Sequence, residues 1–119
     1  MSVHDAEITL EQMLEFIAEA RGFCEGQTLE TVLNDRMRLR ALERVMACLG
    51  EAVKRLPVAL RERYGEVPWR NVAGMRDVLT HAYEGVVHQT LWDAVHLHLP
   101  LLEVTVGRML LDVRADREM

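Results

Sequence analysis

Apolar residues recur at helical spacing along most of the chain. Leu10, Met13, Leu14 and Ile17 stand at i, i+3, i+4 and i+7, which predicts a first helix from about Thr9 to Phe23, stopped by Gly26. Thr28 is placed to cap a second helix, on which Leu42, Val45, Met46, Leu49, Ala52, Val53 and Leu56 hold the same period over four turns. This is the strongest helical signal in the sequence. Pro57 ends that helix or opens a short third one reaching Tyr64, before Gly65. Pro68 suits the start of a fourth, through Trp69, Val72, Met75, Leu79 and Ala82 to a stop near Gly85. Thr90 is the candidate cap of a fifth, and Pro100 is expected to break or kink it before Leu102, Val106, Met109, Leu110 and Val113 resume the period.

No alternating strand of useful length interrupts these patterns, and there is no internal repeat, low-complexity tract or linker. The expected fold is therefore all-α: an up-and-down helical bundle of four to five helices, formed as one domain over residues 1–119. Charges interrupt every candidate membrane span, and Met1–Glu7 lacks the apolar core of a signal peptide, so the expected setting is cytoplasmic. Cys24 and Cys48 are too few for a disulfide framework and form no Cys-x-x-Cys pair. Both read as small apolar residues.

Charge sharpens the picture once it is counted by segment. The chain carries a formal net charge of -5, which excludes broad, charge-driven coating of nucleic acid. Residues 1–27 sum to -5 and 84–119 to -3, whereas 28–56 sum to +2 and 57–83 to +1. A locally basic cleft in an acidic protein remains open. Arg36, Arg40 and Arg44 form a ladder at i, i+4 and i+8 on the second helix; the ladder is either a solvated face or a source of phosphate contacts, and Arg70 joins it as an RNA-binding candidate.

The fourth helix carries the candidate chemistry. At about 100° per residue, Arg76, Asp77, Thr80, His81 and Tyr83 share one broad polar face, while Met75, Val78, Leu79 and Ala82 take the opposite arc. Arg76 and His81 lie on the two flanks of that face, and the length of the arginine lets the pair converge on a group docked over Thr80. Asp77 stands four residues before His81, the spacing at which a carboxylate orients an imidazole. A guanidinium that clamps phosphate and an imidazole that moves protons suffice for metal-free RNA cleavage by the adjacent 2′-hydroxyl. One helix supplies only half of such a cleft, so a symmetric dimer is attractive. Spacing alone leaves the bland alternative standing, since any solvated amphipathic face carries residues of these types.

Other candidates are weaker. His88, His96 and His98 invite a metal reading, but residues two apart on a helix point about 200° away from each other, so surface or interface histidines are expected and no metal site. Trp69 and Trp92 read as core or interface anchors, and Gly74 as a point of close helix approach. No glycine-rich run could cradle a phosphate.

The string Pro68 to Tyr83, PWRNVAGMRDVLTHAY, resembles the signature of HepT-like proteins of the HEPN superfamily, in which Arg, four residues, His, one residue and Tyr form the motif. RVMACLGEAVKRLP, Arg44 to Pro57, is similar to the family's Gly-Glu-Ala helix ending. Val32 to Arg36 and Leu91-Trp92 fit as well, so the resemblance runs over nearly the whole chain in order. It implies a HEPN-like helical homodimer with a metal-independent endoribonuclease cleft at the subunit interface and no cofactor. It also implies a toxin of a HEPN/MNT toxin-antitoxin pair, whose partner is a minimal nucleotidyltransferase antitoxin. Carried over residue by residue, Arg76 contacts the scissile phosphate of the RNA substrate and His81 is the general acid or base, with Asp77 and Thr80 in support. Tyr83 is the acceptor of the AMP by which the antitoxin silences the cleft. Ala47 departs from the family's common Glu. The alternative is a non-catalytic helical partner, or nucleotide-binding module, of such a nucleotidyltransferase.

Overall fold

In the computed structural model, residues 2–81 and 86–119 are described, with side chains for 2–79 and 88–119. The helices are α1 (Val3–Cys24), α2 (Leu29–Asn34), α3 (Arg36–Arg55), α4 (Val58–Glu62), α5 (Trp69–Ala73), α6 (Met75–His81), α7 (Val86–Asp93) and α8 (Leu99–Glu118), with a π turn over Ala94–His98 between the last two. They group into four long helical stretches and a short one, an all-α bundle as the periodicity predicts. No strand occurs among the described residues. α1 packs between α3 and α8, and α3 carries α5 and α6 on a further flank. Leu10, Met13 and Ile17 from α1, Leu42, Leu49 and Val53 from α3, and Leu102, Val106 and Met109 from α8 are sealed from solvent at the centre.

Local capping chemistry explains where the helices depart from the expected bounds. α1 starts earlier than Thr9 because Ser2 and Asp5 form a capping box: the Asp5 backbone N–H donates to Ser2 Oγ at 3.1 Å, and the Ser2 N–H donates to Asp5 Oδ2 at 3.4 Å. Those bonds hold the Asp5 carboxyl below its usual range. Thr28 caps as expected, but only the short α2. Asp35 ends α2 and at once caps α3, accepting from the Arg38 N–H at 3.1 Å, so the expected single helix is two. Gly74 likewise divides the expected fourth helix into α5 and α6.

Pro100 does not break the last stretch. Its missing N–H and its ring are accommodated by the widened π turn just before it, in which the Leu99 N–H reaches back to the Ala94 carbonyl. Thr90 therefore sits inside α7 rather than at a cap. Continuity through Pro100 also makes His88–Glu118 long and apolar enough to cross a membrane by length and composition, contrary to the expectation for every window. One face of that stretch is core. The other leaves Leu97, Leu101, Val104 and Leu111 exposed.

The close helix contact belongs to Gly50, not to Gly74. A Cβ at Gly50 would meet the Val72 carbonyl oxygen at 3.0 Å, the Ala73 carbonyl oxygen at 3.3 Å and the Arg76 nitrogen at 3.3 Å. At Gly74 a Cβ would meet only carbonyls of the preceding helix, Arg70 at 3.3 Å and Asn71 at 3.7 Å. Gly50 thus sets how near the chain bearing Arg76 comes to α3.

Trp69 is a core anchor as expected, donating from Nε1 to the Tyr64 carbonyl at 3.0 Å. Buried Tyr64 donates its hydroxyl to Asp112 Oδ2 at 2.7 Å and lies under Arg108, which pairs with Glu66. Burial, with the neighbouring carboxylate, pushes the phenol up to about 12. The folded protein therefore holds this proton more tightly than the unfolded chain. The resulting stability is complete below about pH 10 and is lost as pH rises toward 12. Tyr64→Phe is expected to cost about 1–3 kcal/mol near neutral pH and to flatten the alkaline fall in stability, read by urea denaturation across pH.

Candidate functional site

Arg76 leaves the first turn of α6 toward α3, where its Nη1 donates to Glu51 Oε1 at 2.8 Å. The guanidinium side chain stays 53% exposed, so the ion pair holds it without burying it. Among the described residues, four of its five N–H donors are left for another acceptor. Lys54 Nζ stands 3.8 Å from Glu51 Oε1 and 3.6 Å from Asp77 Oδ2, linking Arg76, Glu51, Lys54 and Asp77 in one exposed chain of charges. Asp77, expected to orient His81, is within 3.6 Å of Lys54 Nζ, and the His81 ring lies outside the described residues.

Arg76 closes one side of an open groove of ≈ 330 Å³ between α1, α3 and α6, lined by Phe16, Arg44, Ala47, Cys48, Glu51, Arg55 and Arg76. The α3 residues fall at i, i+3, i+4, i+7 and i+11, a stripe beside the buried one. Arg44 has no ion pair or hydrogen bond among the described residues. Arg55 donates from Nη2 to the neutral Gln12 Oε1 at 3.0 Å. Three guanidinium groups thus share the groove with one carboxylate, and Ala47 adds no second acid.

The remaining candidates are dispersed. Of the arginine ladder only Arg44 reaches the groove; Arg40 pairs with Glu43 at 2.6 Å, and Arg36 and Arg70 are exposed elsewhere. His81 lies in α6, five residues after Arg76, but its ring and the Thr80 side chain are outside the described residues, as is all of Tyr83. His96 donates from Nδ1 to the Trp92 carbonyl at 2.8 Å and stacks on the Trp92 ring at 4.1 Å. Among the described residues, no group of three or more His, Cys, Asp or Glu converges as a metal site. Cys24 is buried, which pushes its thiol up, and fits the apolar reading. Cys48 is half-buried and lines the groove.

Sequence reasoning missed Phe16 and Arg55, and valued Glu51 only as part of a resemblance. The α3 stripe was visible in the spacing Arg44, Cys48, Glu51, Arg55. Its meaning depends on α1 and α6, which sequence spacing cannot place beside it.

Fold and groove together define a small all-α domain with an arginine-lined cleft next to an Arg-x4-His helix. The chain belongs to the ribonuclease HepT-like family, whose model matches residues 13–109. It is 38% identical over 99 residues to a protein of Caldanaerobacter subterraneus subsp. tengcongensis named as a candidate RNase, covering 83% of this chain and 86% of that one. It is 30% identical over 118 residues to a candidate RNase of Methanocaldococcus jannaschii, covering 99% and 98% of the two chains. A "Probable ribonuclease HepT" of Thermococcus cleftensis is 39% identical over 94 residues, covering 76% of this chain and 86% of that one. No solved structure matches the chain significantly.

Proposed function

We propose that this chain is a metal-independent endoribonuclease that cuts single-stranded RNA at the Arg76–His81 face, acting as the toxin of a pair with a minimal nucleotidyltransferase antitoxin. The observation that carries this reading is the position of Arg76: ion-paired and therefore held, half-exposed and therefore reachable, beside two further arginines that no carboxylate among the described residues neutralises. In the proposed step the 2′-oxygen attacks the adjacent phosphorus and the bond from phosphorus to the 5′-oxygen breaks. A 2′,3′-cyclic phosphate and a free 5′-hydroxyl result. Arg76 neutralises the charge that grows on the phosphate oxygens. His81 takes the 2′-hydroxyl proton or supplies one to the leaving 5′-oxygen.

A second copy of the chain completes the cleft in this reading. Exposed apolar side chains support such pairing: Val78, two residues from Arg76, and the outer face of α8. Leu101, Val104 and Leu111 on α8, with Leu97 in the π turn before it, form that exposed apolar row, which a two-fold contact would cover with its own copy. A purely structural scaffold is disfavoured because Arg76 is not buried against its acid.

Purified, unmodified protein is expected to cleave single-stranded RNA in EDTA and to leave cyclic phosphate ends. After incubation with the nucleotidyltransferase and ATP, it is expected to gain the mass of AMP at Tyr83 and to stop cleaving. An absolute requirement for a divalent cation would refute the metal-independent chemistry. Absence of AMP on Tyr83 would remove the proposed regulation.

A further inference from the structure

We infer that the groove between α1 and α3 is a subsite for a short stretch of single-stranded RNA next to the scissile phosphate, with the Phe16 ring taking one base and Arg44 and Arg55 contacting backbone phosphates at the two ends of the groove. This rests on the cleavage reading above and adds the residues that hold the substrate.

Three observations converge. The groove's volume of ≈ 330 Å³ is at the small end of ligand pockets, which span about 300–1,000 Å³ and so suit a group of nucleotide size. Its charge is uneven in a useful way. Arg21, Arg38, Arg40, Arg108, Arg114 and Arg117 are each tied to a carboxylate. Among the described residues Arg36, Arg44, Arg55, Arg61, Arg63 and Arg70 are not, and of these only Arg44 and Arg55 line this groove, from α3, three turns apart, with Glu51 and the Arg76 guanidinium between them. Phosphates could therefore bind at either end without displacing an acid. Last, Phe16 is half-buried against the core and presents its remaining surface to the groove from α1. An aromatic ring beside cationic side chains is the arrangement by which proteins hold single strands, through stacking that tolerates any base and guanidinium contacts that follow the backbone.

The test uses the full chain and a short single-stranded RNA, 2′-O-methylated throughout so that it cannot be cut, with inorganic polyphosphate as the charge-only probe. Phe16→Leu is expected to weaken oligonucleotide binding by about 5- to 150-fold while leaving polyphosphate binding unchanged, and Phe16→Tyr to bind the oligonucleotide as the parent does. Arg44→Ala and Arg55→Ala are each expected to weaken binding of both probes and to lower the salt dependence for the oligonucleotide by about 0.7 in slope. Circular dichroism and melting of each variant separate a lost contact from a lost fold. Parent-like oligonucleotide binding by folded Phe16→Leu, or equal loss for both probes, overturns the base site. Unchanged slopes in both arginine variants overturn the phosphate contacts. If these variants behave as the parent while Arg76→Ala and His81→Ala abolish cleavage of ordinary RNA, the subsite fails and the cleavage reading stands. If Arg76→Ala and His81→Ala cleave fully, it is the cleavage reading that fails.

Discussion

Arg76→Ala is expected to lower kcat/KM for single-stranded RNA by about 10²–10³, and His81→Ala by about 10²–10⁴, with both variants folding as the parent does. The arginine removes a donor aimed at charge that develops on the phosphate, and the histidine removes a proton carrier, so both losses should lie mainly in kcat. Stability should change little on removal of Arg76. Its pair with Glu51 is exposed at 53% and 38%, and exposed ion pairs contribute only about 0–1 kcal/mol. Arg76→Lys should recover part of the rate, since it keeps the charge and loses the two-pronged geometry. Full activity in both alanine variants would contradict the proposed site.

The second large effect is expected at Gly50, where fold and site meet. A methyl group there would stand 3.0 Å from the Val72 carbonyl oxygen and 3.3 Å from the Arg76 nitrogen, both backbone atoms that cannot swing aside. Gly50→Ala should therefore push α5 and α6 off α3, at a cost of about 1–3 kcal/mol, and move Arg76 away from Glu51 and the groove. Cleavage should fall along with stability. Gly107 is the matched control: it lies within α8, and nothing stands within 4 Å of where its Cβ would be. Gly107→Ala should stabilise the protein by about 0.5–1 kcal/mol, because the helix no longer immobilises a glycine. Urea denaturation of the two variants checks the contrast; a neutral Gly50→Ala would remove the close approach from the account.

The bundle was readable because its cores are periodic. Leu10, Met13 and Ile17, and the run from Leu42 to Leu56, specify the inner faces of α1 and α3 without knowledge of the partner helix. What sequence spacing missed is decided by single atoms. Asp35 reads as an ordinary polar residue until its carboxylate is seen to accept the Arg38 N–H and split a helix. Pro100 reads as a break because the π turn that absorbs it has no strong spacing signal.

The candidate site was legible to a different depth. Arg76, Asp77, Thr80, His81 and Tyr83 came from one local motif and the resemblance that it carries, and His81 and Tyr83 gain no side-chain geometry from the described residues. The groove is a tertiary object. Phe16 lies 60 residues before Arg76, and no local pattern pairs them. The segment charges gave the sign of that region, and the ion pairs then showed which cations in it are neutralised. Arg40 is spent on Glu43, whereas Arg44, one turn on, has no carboxylate partner among the described residues.

The most direct test of the central claim is cleavage in EDTA of one single-stranded RNA by the unmodified protein, with the mapped scissile nucleotide as ribose or as 2′-deoxyribose. The account predicts that the ribose strand is cut there to a 2′,3′-cyclic phosphate and that the single deoxy substitution abolishes that cut. Cutting of the deoxy strand at the same position would contradict attack by the 2′-hydroxyl, and with it the roles given to Arg76 and His81.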